Sequence, residues 1–122
     1  MPNNIRVIHA RDFISATPRG EFDLASSKKL LEAVAATAAQ QQHDVILDIR
    51  DARSNMTAAD LWALASALAG DRKSFSKMAI LCPIERFDRA WFFVQCADNQ
   101  HLNLRAFTDY EAAMKWLYDY DG

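Results

Sequence analysis

The stretch Asp44-Val45-Ile46-Leu47-Asp48-Ile49 is the feature that most constrains this chain. Its apolar residues run almost without interruption, and Val45, Ile46 and Ile49 are β-branched. A strand with one wet face would alternate apolar and polar residues. This pattern instead predicts a strand covered on both faces, the central strand of a mostly parallel sheet. Amphipathic helices are expected on either side of it in the sequence. From Asp23, a candidate N-cap, to about Gln41 the chain is rich in Ala, Leu, Lys and Glu, with Leu24, Leu31, Val34 and Ala38 at helical spacing. Downstream, Thr57-Ala58-Ala59-Asp60 is expected to cap a helix with Leu61, Leu64, Ala65 and Leu68 on one face, and Gly70 stands where a terminating glycine belongs.

The remaining elements follow the same alternation. Ile5-Arg6-Val7-Ile8 and Phe13 to Thr17 read as extended segments, and Pro18-Arg19-Gly20 breaks or bulges the second. Met78-Ala79-Ile80-Leu81-Cys82 is a further buried strand stopped by Pro83, followed by a helix over about Glu85 to Asn99. Leu102 to Phe107 predicts the last strand. Thr108-Asp109-Tyr110-Glu111 then predicts a capping box, with the Thr108 hydroxyl and the Glu111 carboxylate satisfying first-turn amides. The resulting order is ββαβαβαβα, an α/β fold with a mixed, mostly parallel sheet flanked by helices.

At 122 residues, with 51% of them hydrophobic, the chain has the size and apolar content of one domain over residues 1–122. A net charge of -2 with both signs interspersed argues against nucleic acid as a partner. The opening Met1-Pro2-Asn3-Asn4-Ile5-Arg6 has no signal-peptide pattern, and no apolar run approaches the roughly 18 to 20 residues that span a bilayer. Cys82 and Cys96 lie in apolar stretches, too few for a disulfide framework, and are expected to be buried thiols in a reducing cytoplasm.

Gly20-Glu21-Phe22-Asp23-Leu24-Ala25-Ser26-Ser27, followed by Leu30-Leu31-Glu32-Ala33, resembles the opening of a STAS domain, where a strand ends in Gly-Glu-Leu-Asp before the first helix. Other pieces are similar to that family in order. Val45 to Asp51 resembles its central strand, Met56 to Leu64 its second helix, and Leu104 to Ala113 its final strand and helix. The resemblance implies a STAS-like, anti-sigma factor antagonist-like fold over nearly the whole chain. In bacterial anti-sigma factor antagonists the loop after the central strand carries Asp-Ser-Ser-Gly or Asp-Ser-Thr-Gly, whose first serine is phosphorylated to switch binding off. The matching stretch here is Asn55-Met56-Thr57-Ala58-Ala59-Asp60-Leu61, so that position falls on Ala58 and the glycine position on Asp60. A divergent STAS-like branch lacking the phosphosite is the closer likeness, with Trp116-Leu117 in an Ala-rich last helix. Its members are thought to bind apolar ligands or to associate with membranes.

Candidate chemistry is sparse, and each case has a plainer account beside it. Asp48, Arg50, Asp51 and Arg53 gather where the central strand ends, the usual ligand position in an open α/β sheet; the plainer account is carboxylates accepting loop amides and solvated arginines. Ser54 and Thr57 are hydroxyls near a helix start that could accept a phosphate, or simply a loop residue and an N-cap. His9, His43 and His101 are scattered without metal-ligand spacing, and the three glycines form no phosphate cradle, so neither a metal nor a cofactor is expected. No catalytic residue is identified.

Phe87, Trp91, Phe92 and Phe93 cannot all lie on one stripe of the third helix. Phe87, Trp91 and Phe93 are expected against the sheet and Phe92 elsewhere, while Trp62 lies off the Leu61, Leu64 and Leu68 face. Two functions follow as expectations. One is a non-enzymatic regulatory or protein-interaction module, self-associating as a homodimer or binding a protein partner through Ser54, Thr57, Asp60 and Trp62. The other is a binder of an apolar small molecule or lipid at a membrane surface, with Trp62, Phe87, Trp91 and Phe92 lining a cleft.

Overall fold

The computed structural model describes residues 7–10, 13–41, 44–70 and 77–118. Strands β1 (Val7–Ala10), β2 (Phe13–Ala16), β4 (Asp44–Asp48), β6 (Met78–Leu81) and β7 (Leu104–Phe107) form one sheet in the order β1-β2-β4-β6-β7. Only the β1–β2 pair is antiparallel. The run that opened the sequence reading is therefore the middle strand. Ile5 and Arg6, expected in the first strand, lie outside the described residues.

Alternation along the strands divides the core. Ile14, Ala16, Val45, Leu47, Met78, Ile80 and Leu104 face one layer, made by α1 (Leu24–Gln41), α2 (Ala58–Ala69) and α3 (Phe87–Asp98). Phe13, Ile46 and Ala79 face the other, where α4 (Tyr110–Tyr118) packs through Ala113, Trp116 and Leu117. Parallel connections share one hand, and here the strand order advances in one direction from β2 to β7. All three crossover helices therefore fall on the same face, which leaves α4 to cover the other. Buried Lys77 ties that last helix down, donating from Nζ to the Trp116 carbonyl at 2.9 Å.

Two short strands add to the expected order. β3 (Gly20–Phe22) and β5 (Ala52–Ser54) pair in parallel as a separate ribbon. Neither has the length or pattern to be legible alone, and pairing defines them. Gly20 has φ 92, a left-handed value that disfavours any Cβ, so glycine is required where the chain enters the ribbon.

Three local expectations need correction. The last helix begins at Tyr110, and Asp109 caps it by accepting the Ala112 amide at 3.2 Å. The Thr108–Glu111 box is thus out of register by one residue, the carboxylate taking the position expected for the hydroxyl. Gly70 keeps right-handed helical angles, φ -64 and ψ -23, so no left-handed terminating turn forms there. The last strand starts at Leu104 rather than Leu102, because His101 adopts φ 66 and Leu102 donates back to the Ala97 carbonyl at the end of α3.

Candidate functional site

The carboxyl ends of β4 and β6 point to one end of the sheet, and the β3–β5 ribbon lies there too. Arg86, in the 3-10 turn Ile84–Arg86 after β6, donates to the carbonyls of Ile49, Arg50 and Ala52. From the first turn of α3, Arg89 donates to the Met56 carbonyl. Four carbonyls of the connection between β4 and α2 are thereby held by two guanidinium groups. A planar fork with five donors is suited to such multiple acceptance.

Beneath that connection is an apolar cavity of about 110 Å³. Phe22, Leu30, Leu31, Met56, Leu61 and Phe93 supply its walls, and exposed Arg53, Ser54 and Arg89 stand at its edge. Burial raises the thiol pKa of Cys82, at the end of β6, only partly opposed by the Arg86 charge. Both Cys82 and Cys96 are free, buried thiols.

The polar cluster at the end of β4 is largely satisfied within itself. Arg50 donates from Nε and its second terminal nitrogen to the two oxygens of Asp48, at 3.0 and 2.8 Å, and its amide donates to the same carboxylate at 3.1 Å. The paired carboxylate holds the Arg50 guanidinium pKa above its ordinary value. Asp48 thus accepts a loop amide and Arg50 stays exposed, as the plainer account had it, with the Arg50 guanidinium also paired to that carboxylate. Asp51 is exposed, and its backbone carbonyl, not its carboxylate, accepts the Gly20 amide at 3.2 Å.

The segment before α2 holds the other candidates. Thr57 Oγ1 accepts the Asp60 amide and Asp60 Oδ2 accepts the Thr57 amide, both at 3.1 Å, completing the expected capping box. Thr57, Ala58 and Ala59 are exposed, and Ala58 offers no hydroxyl at the first position after the cap. Ser54 is exposed at the end of β5, not in a loop. Trp62, on the outer side of α2, is 48% exposed.

The aromatic residues are not gathered in one cleft. Phe87 and Trp91 line a groove of about 560 Å³ between α3 and β7, whereas Trp62 and Phe92 line neither this groove nor the apolar cavity. Trp91, expected against the sheet, is 53% exposed because β7 is the edge strand and the sheet ends beside it. Phe93 alone of the four is buried, and Phe92 is exposed as its position implied. His101 is exposed; His43 and the His9 side chain lie outside the described residues. The residues that line the cavity were not separable from ordinary core in the sequence, since Leu30, Leu31 and Leu61 carry the same helical spacing as any buried face.

No protein-family profile matches the chain, and no curated protein sequence is similar to it. Solved structures are similar over most of its length. One is an uncharacterized protein of the DUF3478 family with a SpoIIAA-like fold from Shewanella loihica, at 15% identity and TM-score 0.61, covering 93% of this chain and 91% of that one. Another is an anti-sigma factor antagonist from Mycobacterium paratuberculosis, at 12% identity and TM-score 0.65, covering 94% and 93%. A third is the anti-sigma factor antagonist SpoIIAA in its unphosphorylated form, at 12% identity and TM-score 0.55, covering 94% and 99%. With its central parallel strands, three helices on one face and one on the other, this chain has the SpoIIAA-like, STAS-type fold.

Proposed function

We propose that this chain is a non-enzymatic regulatory module of the cytoplasm, a single domain that binds a protein partner through Ser54, Thr57, Asp60 and Trp62. The observation that carries the reading is Trp62, a large aromatic 48% exposed on the outer side of a capped helix. Arg86 and Arg89 anchor the connection leading into that helix, so the surface is preorganised rather than loose. The fold shared with anti-sigma factor antagonists supports a partner-binding role. Ala58 leaves the phosphoacceptor position without a hydroxyl, and regulation by phosphate at that residue is absent from this reading. A photo-crosslinking residue at position 62, compared with one at the exposed aromatic Tyr110, tests it in the source cell. Trapping of one defined protein from position 62 alone is expected; equal trapping from both positions, or none, overturns the reading.

The cavity of about 110 Å³ favours a second reading, an apolar small molecule or lipid carried with peripheral membrane association. Its walls are Phe22, Leu30, Leu31, Met56, Leu61 and Phe93, not the aromatic set expected from sequence. Among the described residues no helix is long and apolar enough to cross a membrane. Native mass spectrometry of the purified protein decides: a lipid-sized adduct supports this reading, and a clean spectrum with no liposome binding removes it.

A further inference from the structure

We propose that the cavity beneath the connection between β4 and α2 binds a small apolar carboxylate, its one-ring or short branched body inside and its anionic head at the mouth against Arg53, Ser54 and Arg89. This deepens the reading of the cavity as a site for an apolar small molecule and rests on it; the Trp62 surface takes no part.

The size of the space selects the body. An enclosed apolar cavity of about 150 Å³ holds one benzene molecule. The cavity here, of about 110 Å³, reaches the surface beside exposed Arg53, Ser54 and Arg89. It suits a ring whose substituent sits at the mouth, or a branched chain of similar bulk, and favours a small molecule over the long acyl chain of a lipid.

Charge selects the head. The polar residues of the lining are Ser27, Ser54 and three arginines, Arg53, Arg86 and Arg89, with no carboxylate among them. Arg86 and Arg89 are held by the carbonyls of Ile49, Arg50, Ala52 and Met56. Neutral carbonyls fix a guanidinium in place without cancelling its charge, and none of the three arginines forms an ion pair among the described residues. The mouth therefore carries positive charge that is already positioned and that the wall does not neutralise. In the β3–β5 ribbon Ser54 stands in register with Phe22, so their side chains share a face. Phe22 is buried in the cavity wall, which turns the Ser54 hydroxyl inward as a donor at the mouth. Arg53 alternates to the outer face opposite Glu21, and its long side chain lines both the cavity edge and the polar groove that Glu21 and Asp23 share. The carboxylates near Arg53 are thus on its outer side, and the cavity side is left to a ligand. A planar carboxylate matches a guanidinium fork and accepts from a hydroxyl as well.

Amide NMR titrations of the purified protein at neutral pH with benzoate, benzamide and acetate test the proposal. Benzoate and benzamide share a shape and differ in charge, and acetate carries the charge without the ring. Benzoate is expected to shift the amides of Leu31, Met56 and Ala90 and to bind at least tenfold more tightly than either other probe. That preference should fall as salt is raised from about 0.01 M to about 1 M, over which the screening length drops from about 30 Å to about 3 Å. Arg53→Gln and Arg89→Gln together, with the fold checked by circular dichroism, should bring benzoate down to the affinity of benzamide. Ala90→Leu, which fills the cavity, should abolish the shifts caused by both ring compounds. Equal binding of benzoate and benzamide overturns the carboxylate assignment and leaves the cavity a neutral apolar site. Binding of neither overturns the small-molecule reading together with it. Acetate binding as tightly as benzoate, or a benzoate preference that neither salt nor the paired arginine substitutions reduce, also overturns the proposal.

Discussion

Filling the apolar cavity from α3 converts its empty space into a measurable free energy. Ala90 is buried, lines the cavity and sits in a helix where Leu costs little relative to Ala. At roughly 24 cal/mol per Å³, a void of about 110 Å³ represents about 2.6 kcal/mol of packing not made. Ala90→Leu adds three carbons, worth about 2.4 kcal/mol at about 0.8 kcal/mol per buried carbon, so the added carbons match the space. Exposed Arg53, Ser54 and Arg89 line the cavity edge, which makes that figure a ceiling. A net gain of about 1–2 kcal/mol is expected once the new side chain's ordering is included. Urea unfolding is the assay: the midpoint should rise with the m-value unchanged. A thermal midpoint higher by about 3–5 °C per kcal/mol should accompany it. A loss of about 1–3 kcal/mol is the signature of overpacking and would refute the cavity as usable space. In the same variant any lipid-sized adduct should disappear, while crosslinking from position 62 should persist if the protein-contact reading holds.

Three further outcomes follow from the local geometry. Thr57→Ala removes the hydroxyl that accepts the Asp60 amide, and should cost about 1 kcal/mol in urea unfolding. Arg86→Ala leaves the carbonyls of Ile49, Arg50 and Ala52 without their shared cation. A cost of about 1–3 kcal/mol is expected, with faster amide hydrogen exchange around residues 49–52; Arg86→Lys should recover little, since one ammonium lacks the fork. Asp23 accepts the Ser26 amide at 2.8 Å and its hydroxyl at 2.9 Å, which hold the carboxyl pKa below its ordinary value of 3.8. A lowered folded-state pKa stabilises above the unfolded value and is lost as pH falls through the folded one. The start of α1 should therefore loosen only in acid, seen by NMR as a Ser26 amide shift whose midpoint lies below 3.8; a midpoint at or above it would contradict the cap.

Much of the architecture was legible because it rests on periodicity. The unbroken run from Val45 to Leu47 required cover on both faces, and helical spacing from Leu24 to Ala38 and from Leu61 to Leu68 identified the layer that covers one of them. Capping of α2 was equally local, since Thr57 and Asp60 need only each other. Asp109 escaped because hydroxyl and carboxylate caps compete one residue apart, and the helix start that decides between them depends on how α4 docks.

The sequence by itself determined which residues alternate and which repeat at helical spacing, and so the succession of the main strands and helices, the central strand and the place of Trp62 off the buried face of α2. Only the tertiary structure decided what those elements enclose. Arg86 reaches carbonyls 34 to 37 residues away in the chain, the β3–β5 ribbon exists only as a pair, and the cavity is space left between side chains from several elements. Trp91 shows the difference most directly: its place on the helix was readable, but its exposure follows from β7 being the edge strand, a property of the sheet and not of the residue.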